Sequence, residues 1–163
     1  MTLQCKRILI IKLGALGDFI QLTGFYAFIR KQYPQAHIVL LTTRPLIKLA
    51  QACPYFDEIL IDKRNRNPLD WYHVTKRILA DGQYDMILDF QTQTRTRTRY
   101  YYLSRFLTKG PFRWAQRRKG QLWVRSIPAK RRFSFGKVEE STLPLNPEPA
   151  SLSFCKANPE VLK

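Results

Sequence analysis

The chain has 163 residues, a formal net charge of +16, 45% hydrophobic residues and 25% charged ones. That is room for one domain with a real core and too little for two full ones, and the apolar fraction argues against wholesale disorder. Three scattered cysteines, Cys5, Cys53 and Cys155, argue against a disulfide framework or a zinc site and fit a reducing compartment.

Arg7 to Lys12 is a short, almost continuously apolar run rich in isoleucine, as expected of a strand buried on both faces of a parallel sheet. Lys12 and Asp18 interrupt the apolar stretch after Lys6 and Arg7, so no signal peptide is expected, and no run approaches the ~20 apolar residues of a membrane span. A loop follows at Leu13 to Gly17. Phe19 to Gln32 then has helical spacing and ends before Pro34.

His37 to Thr42 is the second expected strand. A helix from near Pro45 carries Leu46, Leu49, Ala50 and Cys53 at helical spacing. Glu58 to Ile61 is a short third strand, Lys63 to Asp70 a basic loop, and Trp71 to Asp81 a third helix closed by Gly82. Asp85 to Phe90 is the fourth strand, and Tyr101 to Leu107 offers a fourth helix. This alternation predicts the α/β class, with a Rossmann-like, doubly wound parallel sheet over residues 1–110.

Past Gly110 the alternation fades. The last 53 residues hold six of the ten prolines and two basic clusters, Arg117 to Lys119 and Lys130 to Arg132, and only Gln121 to Ile127 reads as a strand. Residues 111–163 are therefore expected to be a basic, Pro-rich and poorly structured or aberrant tail. Residues 1–90 carry 12 Lys or Arg against 8 Asp or Glu, whereas residues 91–163 carry 16 against 4. A surface of that kind attracts nucleic acid, anionic lipid head groups and phosphorylated sugars alike.

Ligands of doubly wound sheets bind beyond the carboxyl ends of the strands, which directs attention to the segments after Lys12, Thr42 and Phe90. In Lys12-Leu-Gly-Ala-Leu-Gly-Asp18, Gly14 and Gly17 permit close approach of a ligand to the backbone beside a helix start. The spacing is neither G-x-G-x-x-G nor a P-loop, and an aspartate stands where a phosphate would be repelled. A carboxylate there suits a general base for a hydroxyl; it also suits a simple helix cap.

Three blocks, ILIIKLGALGDFIQLTGFYAFIRKQYPQAHIVLLT, Pro54-Tyr-Phe-Asp-Glu58 and Tyr84-Asp-Met-Ile-Leu-Asp-Phe-Gln91, resemble in order and spacing the N-terminal domain of glycosyltransferase family 9, the ADP-heptose:lipopolysaccharide heptosyltransferases. The resemblance covers roughly Lys6 to Arg105. It implies the N-terminal half of a GT-B enzyme, an inverting glycosyltransferase that moves heptose from ADP-heptose to the lipopolysaccharide inner core without a metal or other cofactor. By the same resemblance Asp18 is the catalytic base, and Lys12, Gly14, Gly17, Gln91 and Arg95 line the acceptor side. The expected partners are a lipopolysaccharide core precursor, an ADP-sugar and an anionic membrane surface, with no specific nucleic acid. The expected location is cytoplasmic, peripheral on the inner membrane.

Family members run to about twice this length, so the resemblance also implies that a C-terminal donor-binding domain is missing. A truncated or frameshifted chain, inactive alone, is the corresponding expectation. The alternative from another class is a nucleic-acid or anionic-surface binding module built on the basic, aromatic-interleaved stretch from Arg95 to Arg132.

Overall fold

The computed structural model describes residues 5–63, 67–80, 84–91 and 96, and the backbone of three further strands, at 112–118, 121–127 and 140–143. Strands β1 (Arg7–Ile11), β2 (His37–Thr42), β3 (Glu58–Ile61) and β4 (Met86–Asp89) form a parallel sheet in the order β3-β2-β1-β4. Ile11 pairs with Leu41 on one side and with Asp89 on the other, so the carboxyl ends of the central strands are level.

The apolar runs are continuous because both faces are covered. Ile8, Ile10, Ile38, Leu40, Met86 and Leu88 pack with Phe19, Leu22, Phe25, Tyr26 and Ile29 of α1 (Leu16–Gln21) and α2 (Thr23–Gln32) and the turn between them. Leu49 and Ala50 of α3 (Ile47–Ala52) join the same cluster. Leu9, Ile11, Val39, Leu41 and Ile87 form the other face, with Val74 of α4 (Pro68–Ala80) packed against it. Helices on both faces make the sheet doubly wound, as the alternation predicts. No helix among the described residues is long and apolar enough to cross a membrane.

The single helix expected over Phe19 to Gln32 is two. It breaks at Leu22, where the Thr23 hydroxyl donates to the carbonyl of Ile20 at 2.7 Å, a local side-chain bond that competes with the helix ladder. The helix expected from Trp71 starts earlier, at Pro68. Proline suits the first turn, and the Asn67 side-chain oxygen accepts from the Leu69 N–H at 3.0 Å.

Past Gly110, the strand expected at Gln121 to Ile127 is present as β6, and the structure adds β5 (Phe112–Arg118) and β7 (Glu140–Leu143). β5 pairs parallel with β4, β6 antiparallel with β5 and β7 antiparallel with β6. Three arginines in seven residues hide the apolar alternation by which β5 could be recognised. The helix expected at Tyr101 to Leu107 lies outside the described residues.

Two of the three sequence blocks close the amino end of the sheet. Asp85 accepts from the backbone N–H groups of Lys6 and Arg7 at 2.7 and 3.0 Å. Asp57 accepts from the Ile38 N–H at 2.7 Å and from Arg30 at 2.6 Å, while Arg30 also donates to the carbonyls of Ala36 and Tyr55. Partial burial opposes the charge of Asp57, but the Ile38 N–H and the Arg30 guanidinium outweigh it and hold the carboxyl below its usual value. These carboxylates are structural clamps, far from the end where ligands bind.

Tyr26 is fully buried among Phe19, Phe56 and Phe90, with ring centroids 5.3, 5.0 and 6.2 Å away. Its hydroxyl has no hydrogen-bond partner among the described residues, and burial, helped by nearby Cys53 and Asp18, pushes the phenol well above its usual range. Removing an unpaired buried hydroxyl restores little and relieves a desolvation cost. Tyr26→Phe is therefore expected to leave stability unchanged or raise it by up to about 1 kcal/mol in urea denaturation. A loss above that size would show that the hydroxyl has a partner after all.

Candidate functional site at the carboxyl edge

In the order β3-β2-β1-β4 the connections leave β1 in one direction and return to β4 in the other, so the topological switch point lies between β1 and β4. Crevices at such points receive ligands because the two flanking loops splay apart. The β1 loop carries Lys12, Gly14, Gly17 and Asp18, and the β4 end carries Gln91.

Leu13 ties the loops together. Its N–H donates to the Gln91 side-chain oxygen at 3.0 Å, and its carbonyl accepts from the Thr43 hydroxyl at 3.0 Å. Gln91 is in turn held by Asp89, whose Oδ1 accepts the Gln91 N–H at 3.0 Å and whose Oδ2 accepts the Thr96 hydroxyl at 2.9 Å. Asp89, Thr43 and Thr96 are buried, so the segments after β1, β2 and β4 are fixed from beneath. Sequence reasoning singles out none of these three. The signal was available, since a carboxylate ending a buried strand needs hydrogen-bond donors from the next loop.

Above this base Lys12 and Asp18 meet. The Lys12 side chain is 4% exposed and its Nζ lies 3.2 Å from Oδ2 of Asp18, whose own side chain is 62% exposed. A buried ammonium thus reaches an anion that faces solvent. Ala15 occupies the N-cap position of α1 with no side-chain cap bond, and Asp18 stands three residues further on, in the first turn. Asp18 is therefore not the N-cap residue.

Gly14 has φ 149°, a backbone conformation that side chains disfavour, whereas a Cβ added at Gly17 would meet nothing within 4 Å. The two glycines are expected to respond with opposite signs in thermal or urea unfolding. Gly14→Ala costs about 1–3 kcal/mol through strain, and Gly17→Ala gains about 0.5–1 kcal/mol of helix propensity. Equal effects would mean that the loop does not hold this shape.

Arg95 lies outside the described residues. Among those described, no three His, Cys, Asp or Glu side chains gather as a metal site. What the edge offers is an accessible carboxylate oriented by a buried cation, beside a glycine loop with room above it.

No family model matches the chain. A Haemophilus influenzae protein assigned as a glycosyltransferase is 28% identical over 89 residues, which cover 55% of this chain and 25% of that protein. The solved structure of a glycosyl transferase family 9 protein from Veillonella parvula superposes with a TM-score of 0.55 at 29% identity, covering 59% of this chain and 29% of its own. The chain resembles glycosyltransferase family 9. E. coli heptosyltransferase WaaC, solved with ADP-2-deoxy-2-fluoro heptose, shares the fold at a TM-score of 0.51 and 13% identity, over 60% of this chain and 33% of WaaC. The family 9-like region is thus a Rossmann-like half of the GT-B kind, and the match spans about a quarter to a third of the length of these relatives.

Proposed function

We propose that this chain supplies the acceptor side of a glycosyltransferase, with Asp18 as general base, and that the sugar moved is heptose from ADP-heptose to the lipopolysaccharide inner core. The observation that carries the reading is the Lys12–Asp18 pair at the switch point, a solvent-facing carboxylate held by a buried ammonium at 3.2 Å. The family resemblance supports the donor and acceptor classes.

In the proposed reaction the acceptor hydroxyl gives its proton to Asp18 as its oxygen forms a bond to the anomeric carbon of the donor sugar. The bond from that carbon to the diphosphate breaks on the opposite face, ADP leaves with the electron pair, and configuration inverts. Lys12 holds one carboxylate oxygen and so leaves the other to meet the hydroxyl. Gly14 and Gly17 let the acceptor lie close to the backbone, Gln91 fixes the loop from below, and Arg95 provides charge for acidic groups on the acceptor. No metal or other cofactor takes part, the ADP-sugar is held by a second Rossmann-like domain, and the setting is the cytoplasmic face of the inner membrane.

The test is binding of a water-soluble, deacylated core oligosaccharide that lacks heptose, followed by NMR of the backbone amides. Shifts confined to the Leu13–Asp18 loop and the segment after β4 are expected. No saturable binding at millimolar oligosaccharide would sink the reading, and binding spread over the basic C-terminal residues would favour a non-specific anion binder.

A further inference from the structure

The segment after β2 reaches the same edge as the Asp18 loop, and it carries an arginine that neither the core nor an ion pair uses. Arg7 and Arg30 show how a structural arginine is held in this fold. Arg7 lies over the Tyr84 ring at 5.4 Å, and Arg30 is fixed by Asp57 and by the carbonyls of Ala36 and Tyr55. Arg44 is exposed, and its guanidinium has no hydrogen-bond or ion-pair partner among the described residues.

Its backbone is nevertheless fixed. Arg44 opens the 3-10 turn Arg44–Leu46, which Pro45 stiffens and the Leu46 N–H closes onto the Thr43 carbonyl at 3.0 Å. Thr43 in turn donates its hydroxyl to the Leu13 carbonyl at 3.0 Å, so the foot of Arg44 is tied to the residue from which the Asp18 loop departs. The connections after β1 and after β2 cross the same face of the sheet, because Phe19, Tyr26 and Leu49 pack in one cluster with Ile10 and Leu40. β1 and β2 are neighbours, about 5 Å apart. The two connections therefore start side by side at the carboxyl edge, Asp18 on one and Arg44 on the other, while Gln91 stands on the β4 side of Asp18.

An anion on one strand end and a cation on the next make a two-point seat. A sugar that offers a hydroxyl to Asp18 and an oxyanion substituent to Arg44 is fixed in direction as well as in place. The planar guanidinium can donate two parallel hydrogen bonds to such an oxyanion, which an ammonium cannot.

We propose that Arg44 is a specificity residue of the acceptor site, binding a phosphate or carboxylate that the acceptor carries on the β2 side of the hydroxyl met by Asp18. The assignment rests on the glycosyltransferase reading for the identity of the ligand.

The test is titration of the full chain with the deacylated core oligosaccharide that lacks heptose. Arg44→Gln is expected to weaken binding about tenfold and Arg44→Lys about threefold, since lysine keeps the charge and loses the fork. Melting should be unchanged in both, because the Arg44 side chain holds nothing in the fold. Lys6→Gln removes the same charge from the opposite, amino edge of the sheet, and so controls for general attraction to a chain of charge +16. Its affinity is expected to equal that of the wild type. Dephosphorylated and carboxyl-reduced oligosaccharides identify the anion: the form that lacks the group held by Arg44 binds the wild type and Arg44→Gln alike. Wild-type affinity in Arg44→Gln, an equal loss in Lys6→Gln, or undiminished binding of both altered oligosaccharides would overturn the proposal and leave the acceptor-side reading standing. Failure of the wild type to bind at all removes that reading itself, and the assignment of Arg44 with it.

Discussion

Once a donor-binding domain is joined to the chain, replacing Asp18 with asparagine is expected to lower sugar transfer by at least about 100-fold while acceptor affinity stays within about threefold. Asparagine keeps the size and most hydrogen bonds of the side chain but cannot take a proton, so the loss belongs in the chemical step. One side effect must be separated. The Lys12 ammonium is buried, and without the Asp18 carboxylate it loses its anion, which destabilises the loop. Lys12→Met combined with Asp18→Asn removes both charges, so it should recover stability and leave transfer as low as in the single variant. Rates come from ADP release with ADP-heptose and the core oligosaccharide, and affinities from titration of the acceptor. If transfer returns in the double variant, Asp18 acts through loop structure and is not the base. If the wild type joined to a donor-binding domain binds acceptor but shows no turnover with ADP-heptose, the catalytic assignment fails and the binding assignment stands.

Asp89→Ala is expected to be among the most destabilising substitutions in the described region, at about 3 kcal/mol. The Asp89 carboxylate is fully buried and accepts from the Gln91 N–H and the Thr96 hydroxyl. Its loss takes an acceptor from two donors beneath the site and removes the support of the Gln91 side chain that fixes Leu13. Asp89→Asn retains one acceptor oxygen and should cost about half as much. Urea denaturation of both variants provides the comparison. The expected order is wild type, Asn, Ala, and the Leu13–Asp18 amides should gain hydrogen-exchange rate in the same order. A cost below about 1 kcal/mol for alanine, or an unchanged exchange rate in the loop, would show that the network does not support the site.

Much of the parallel core is legible in the linear chain because continuous apolar runs have one stable use there. His37 to Thr42 and Glu58 to Ile61 match their strands end to end, and Arg7 to Lys12 and Asp85 to Phe90 differ only at the termini. Helix ends are less legible. Thr23 and Asn67 decide them through single local hydrogen bonds, and such bonds leave no periodic trace. β5 was hidden for a different reason: its arginines read as a solvated tail until pairing with β4 on one side and β6 on the other shows a strand.

By itself the sequence determined that the first 90 residues form an alternating α/β layer and that Lys12, the two glycines and Asp18 share one loop after its first strand. Both follow from local patterns, namely apolar period and residue spacing. Only the tertiary structure decided which carboxylates are clamps and which faces solvent at the ligand edge. Asp57 and Asp85 stand in motif blocks as conspicuous as that of Asp18, and what separates them is whether backbone and side-chain donors enclose the oxygens. Those donors come from strands and loops up to 79 residues away in the chain. No local pattern encodes that distance; the packing of the sheet does.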